Sequence, residues 1–79
     1  MAVITSFAPI GTSARARRHR SEVECGWAIF TAEGRTYLQL DTYGSSTRAI
    51  PGKVSQTIQL DEDGARQLKK LIAQAFPGV

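Results

Sequence analysis

The chain has one cysteine, Cys25, and one histidine, His19. A lone cysteine excludes an internal disulfide, and one Cys with one His cannot complete a four-ligand zinc site. No metal and no other cofactor is expected. No apolar run approaches the roughly 20 residues of a membrane-spanning helix, so no membrane partner is expected either. The opening stretch, 1-MAVITSFAPI-10, places no basic residue before its apolar ones, as a secretory leader would. The reading is cytoplasmic, with nucleoid association compatible. A catalytic constellation is also lacking. Glu22 and Glu24 lie two apart on one face of an extended chain, but no nucleophile or metal cluster accompanies them. The segment 44-GSST-47 is too short for a phosphate-cradling loop and lacks its lysine. His19 stands alone among arginines. No enzymatic activity is expected.

The chain is short as well. Its 79 residues make a single small domain with a thin core, marginal alone. Small folds compensate with disulfides, metals or partner subunits. With the first two excluded, a homodimer is the expected supplement. The formal charge is +3. Residues 1–53 hold seven Lys/Arg against four Asp/Glu, while residues 54–79 balance at three of each. The basic excess therefore lies outside the C-terminal segment, where it is compatible with a nucleic-acid partner.

Alternation carries most of the fold reading. Residues 2–10 are apolar and β-prone and read as a first strand. The segment 12-TSARARRHRSE-22 is polar and basic without apolar periodicity, a flexible loop within the domain. In 23-VECGWAIF-30, Val23, Cys25, Trp27 and Ile29 share one face, and Glu24, Gly26, Ala28 and Phe30 share the other. Trp27 and Cys25 read as core on that basis. The turn 32-AEGR-35 follows, with Gly34 supplying a positive φ, and residues 36–43 form the paired strand. After the loop 44-GSSTRAIPGK-53 comes a strand at 54-VSQTIQL-60, with Ile58 and Leu60 inward and Ser55, Thr57 and Gln59 outward. In 61-DEDGARQLKKLIAQAF-76, Ala65, Leu68, Leu71, Ile72, Ala75 and Phe76 form one helical stripe. Asp61 suits the N-cap, Glu62 and Asp63 the first turn, and Pro77-Gly78 the stop. The expected architecture is α+β: a four-stranded antiparallel sheet with one C-terminal amphipathic helix, its stripe covering the leucine face of the sheet.

That order resembles the positive cofactor four family, transcriptional coactivators and bacterial relatives that bind single-stranded DNA as dimers. Four pieces carry the resemblance, across about residues 23–76. They are the hairpin pair Gly34-Arg35 leading into 38-LQLDTY-43, the loop closing on 51-PGK-53, the strand 58-IQL-60 running into an acidic helix start, and the helix segment 66-RQLKKLI-72. The resemblance implies a curved sheet with single-stranded nucleic acid on its exposed face, and helices that help form the dimer. By position it implies that Arg35 and Lys53 are binding residues flanking the third strand and its following loop, with Tyr43 an aromatic near that strand's end.

The residues point the same way. In 35-RTYLQLDTY-43, Leu38 and Leu40 share one face, and Tyr37, Gln39, Asp41 and Tyr43 share the other. Tyr37 and Tyr43 are six residues apart, about 20 Å at strand rise. Exposed rings stack on bases at roughly 1–3 kcal/mol each. The candidate stacking residues are Tyr37, Tyr43 and then Phe30. The candidate phosphate contacts are Arg35, Lys53 and Arg48, followed by Arg17, Arg18 and Arg20 of the basic run 15-RARRHR-20. Gln39, Thr57, Gln59 and Ser55 add neutral hydrogen-bonding groups, and Asp41 interrupts any continuous phosphate path. The expected partner is single-stranded DNA or RNA. The alternative is a small dimeric protein-interaction module using the tyrosine face, since tyrosine and arginine are also enriched at protein interfaces.

Overall fold

The computed structural model describes residues 1–11, 16–43 and 53–79. It is a small α+β fold. The elements are β1 (Ala2–Ile4), β2 (Cys25–Ala32), β3 (Arg35–Tyr43), β4 (Val54–Leu60) and α1 (Glu62–Ala75). The four strands form one open sheet in the order β1-β4-β3-β2.

Local chemistry explains the central elements. β2 and β3 are joined by two residues, Glu33 and Gly34, with φ of 52° and 78°. Positive φ at both central positions is the type I′ geometry, whose twist matches that of the flanking strands. Ala32 therefore pairs with Arg35, and the ladder runs to Cys25 opposite Thr42. β3 also pairs antiparallel with β4, from Leu38 opposite Leu60 to Tyr43 opposite Val54. The register shifts between Thr42, opposite Gln56, and Tyr43. Ser55 is thus the extra residue of a β-bulge, and not a regular member of the outward row with Thr57 and Gln59. The helix starts where expected. The Asp61 carboxylate accepts a hydrogen bond from the Gly64 N–H at 2.7 Å. At the other end the Phe76 N–H donates to the Ile72 carbonyl at 2.8 Å.

Three expectations need correction. The sheet is mixed, not wholly antiparallel, because β1 runs parallel to β4. Residues 5–24 separate β1 from β2, so β1 is not bound to its neighbour in sequence and lies at the far edge of the sheet. The first strand is also shorter than residues 2–10. Its backbone bonding is diverted by a helix side chain: the Phe7 N–H donates to Gln67 Oε1 at 2.9 Å, and Gln67 Nε2 donates to the Thr5 carbonyl at 3.3 Å.

The third correction concerns the core. Pairing places Ala2, Ile4, Trp27, Ile29, Leu38, Leu40, Ile58 and Leu60 on one face of the sheet. The helix stripe does not cover that face. Helix and sheet meet closely at the first turn, where Gly64 is buried and a Cβ on it would collide with the Ile4 carbonyl oxygen. Leu60, at 2% exposure, is the buried hydrophobic centre. Further out, Trp27 is 69% and Ile29 65% exposed, and Leu71, Ile72 and Phe76 of the helix are exposed too. Trp27 and Cys25, expected in the core, are exposed because β2 is an edge strand whose apolar face nothing in the described chain covers.

Candidate nucleic-acid interface

The other face of the sheet is polar and aromatic. Strand alternation puts Arg35, Tyr37, Gln39, Asp41 and Tyr43 on it from β3, and register adds Gly26, Ala28 and Phe30 from β2 with Thr57 and Gln59 from β4. Three zones follow one another along β3.

At the hairpin end, Phe30 and Tyr37 are directly opposite and their rings stack, with centroids 5.4 Å apart and planes at 21°. Such offset pairs add about 0.5–1.5 kcal/mol beyond area burial and fix both rings. A stacked pair leaves each ring a second face for a further planar group. Arg35 lies two residues from Tyr37 on the same face, and it is exposed.

The middle is a hydrogen-bonded cluster of four side chains. Gln59 Nε2 donates to Gln39 Oε1 at 2.9 Å. Gln39 Nε2 in turn donates to both carboxylate oxygens of Asp41 at 3.3 Å. The Thr57 hydroxyl donates to Asp41 Oδ1 at 2.7 Å. Gln39 faces Gln59 and Asp41 faces Thr57 across the β3–β4 ladder, so the network is built from directly opposed pairs. It orients the carboxamides and carboxylate before any ligand arrives.

At the far end, Tyr43 lies over Gly26. A Cβ added at Gly26 would come within 2.6 Å of the Tyr43 hydroxyl and 3.2 Å of its ring. Glycine here is a packing requirement, the usual meaning of a mid-strand Gly approached by another group. Lys53, exposed, immediately precedes Val54, the partner of Tyr43, so it belongs to this end.

The face thus brings together Phe30, Tyr37, Tyr43 and Arg35, while Lys53 stands at the Tyr43 end of the sheet, just before β4. Arg48 lies outside the described residues. The basic segment enters β2 at Cys25, the Tyr43 end of the sheet. Within it, Arg18 forms an ion pair with Glu22, Arg17 donates to the Ala16 carbonyl at 2.8 Å, and Arg20 is exposed. A groove of about 690 Å³ at the hairpin end is lined in part by Arg35 and Tyr37, but also by Asp61, Glu62 and Asp63. Arg66 pairs with Glu62 and Asp63, so three carboxylates meet two guanidiniums and the groove keeps a net negative charge unsuited to phosphate. Any phosphate path over Arg35 therefore stays on the sheet face.

Phe30, third among the candidate aromatics, forms the stacked pair with Tyr37, its parity matching across the two-residue turn. One feature is not read from the sequence: the need for glycine at position 26, although a glycine within an alternating strand marks close approach.

No family model, no curated protein and no solved structure matches this chain. No helix among the described residues is long and apolar enough to cross a membrane.

Proposed function

We propose that this chain binds single-stranded nucleic acid on the polar face of its sheet, as a homodimer and without enzymatic activity. The observation that carries the reading is the placement of aromatics at both ends of one half-buried polar face, Phe30 and Tyr37 with Arg35 at one end and Tyr43 at the other, where Lys53 stands just before β4. Aromatic platforms combined with flanking cations are the general means of holding a single strand without reading much sequence. The central cluster suits bases and repels phosphates. Asp41 and the two carboxamides offer acceptors and donors to base edges, as carboxylates do toward exocyclic amines. In this arrangement phosphates follow the cationic rim and bases turn inward. The resemblance to the positive cofactor four family supports the same reading, and through it a coactivator-like role in transcription. The dimer is supported by the apolar side chains left exposed on the other face of the sheet, Trp27, Ile29 and Ile58, since contiguous exposed apolar surface marks interaction sites.

The test is fluorescence anisotropy with a labelled oligonucleotide and its duplex at two salt concentrations. Preferential binding of the single strand, weakening steeply with salt, is expected. No binding at low salt would sink the proposal.

A second reading, in which this face docks another protein, is favoured by one observation: an acidic residue, Asp41, sits at its centre within a satisfied network. Binding there would respond little to salt.

A further inference from the structure

The two edges of the sheet are unequal. β1 has three residues and offers little to pair with. β2 has eight, Cys25–Ala32, with no charged residue, no proline and no register shift against β3. Long, uncharged edges template pairing with another strand, and proteins blunt those that must stay free. Nothing among the described residues blunts this one.

The turn fixes which backbone groups are open. In a two-residue hairpin the pair flanking the turn, Ala32 with Arg35, is hydrogen-bonded, and hydrogen-bonded pairs then alternate. Ala32, Phe30, Ala28 and Gly26 therefore bond to β3. The N–H and C=O groups of Thr31, Ile29, Trp27 and Cys25 point off the edge.

We propose that β2 pairs antiparallel with β2 of a second copy of this chain, centred on Ala28, so that two sheets become one of eight strands. A twofold pairing of identical edges is self-complementary and closes at two copies, because the remaining edge of each copy is the short β1. The seam is neutral, so two chains of charge +3 meet there without like charges opposed. In the centred register Trp27 of one copy lies beside Ile29 of the other, covering two of the most exposed apolar side chains, at 69% and 65%. On the polar face, Gly26 lies beside the bulky Phe30 of the second copy.

The seam has a consequence for the polar face, and this part rests on the nucleic-acid reading. The Phe30–Tyr37 pair of one copy would adjoin Tyr43 of the other, which lies over Gly26. Two short aromatic rows would become one that crosses the seam, giving a longer track than either copy offers.

The test uses the full chain without nucleic acid. In a Cys25→Ser background, Ala28→Cys is oxidised mildly and run without reductant, alongside light scattering of the parent. Ala28 meets itself in a non-hydrogen-bonded pair, where Cα atoms are about 4.5 Å apart and a disulfide fits. Near-complete covalent dimer is expected. A monomeric parent, or a dimer whose Ala28→Cys form does not cross-link, would overturn the seam. Cross-linking through Ile29→Cys in place of Ala28→Cys would overturn the register and the joined row. A second measurement needs no variant: amide hydrogen exchange of the native protein. Protection of the Trp27, Ile29 and Thr31 N–H groups is expected, and exchange at the open-edge rate would contradict the pairing. Because neither measurement involves nucleic acid, failure here leaves the binding proposal standing, and failure of binding leaves the seam standing.

Discussion

The two faces of this sheet are finished by different means. On the polar face the side chains satisfy one another: Gln59, Gln39, Asp41 and Thr57 share hydrogen bonds, Phe30 stacks on Tyr37, and Tyr43 lies over Gly26. On the apolar face the same chain leaves Trp27, Ile29 and Ile58 exposed, and the helix stripe at Leu71, Ile72 and Phe76 exposed as well. A polar face whose side chains satisfy one another can be preorganised for a ligand that comes and goes. An apolar face left this open among the described residues suits a lasting partner. On the proposed reading the two faces do different work, transient recognition on one and assembly around the other.

The largest expected effect separates the faces by affinity. Replacing both Tyr37 and Tyr43 with Leu should weaken single-strand binding by about 2 kcal/mol or more, roughly 30-fold, since each base stack contributes about 1–3 kcal/mol. Leu71→Ala, on the helix stripe, should change affinity less than about threefold. Equal losses from both, measured by anisotropy titration, would erase the distinction between the faces.

Stability is the next way to probe the contrast. The apolar side is anchored where the helix begins, with Gly64 against the Ile4 carbonyl. Gly64→Ala improves helix propensity by about 1 kcal/mol. It also drives a methyl group into backbone that cannot swing aside, an overpacking that costs about 1–3 kcal/mol. Net destabilisation by urea denaturation is expected. A more stable Gly64→Ala protein would mean that the helix is not seated there.

Smaller effects sharpen the polar rim. Arg35→Ala with Lys53→Ala removes two phosphate contacts, so the slope of log affinity against log salt should fall in magnitude by about 1.4. An unchanged slope would remove both residues from the phosphate path. The smallest change tests the turn that sets the register of both faces. Glu33 adopts a φ of 52°, which asparagine tolerates better. Glu33→Asn should stabilise the protein by about 0.5 kcal/mol in the same denaturation assay, with affinity unchanged.

Much of this architecture was legible because period-2 alternation and helix-end chemistry are local. β3, β4, the Glu33-Gly34 turn and the Asp61 cap follow from short windows of sequence. What was not legible is tertiary. Nothing near Thr5 or Phe7 announces that Gln67, some 60 residues on, takes their backbone bonds and ends β1. Alternation placed Trp27 and Cys25 on the apolar face, but it does not say what covers a face, and here the described chain leaves both exposed. The candidate site divides the same way. Parity alone put Tyr37, Tyr43 and Phe30 on one side. The Ser55 bulge and the fit of Tyr43 over Gly26 depend on strand pairing that no single window contains.

The central claim is that nucleic acid meets the polar face, and amide-detected NMR reads both faces at once. The Gln39 and Gln59 carboxamides report from the polar face, and the Trp27 indole N–H reports from the apolar one. Titration with an unlabelled thymidine oligonucleotide should shift the two carboxamides and the backbone of Arg35, Tyr37 and Tyr43, leaving the indole signal in place. Shifts at the Trp27 indole and along Leu71–Phe76, with the carboxamides unmoved, would contradict the account and move recognition to the opposite side of the sheet.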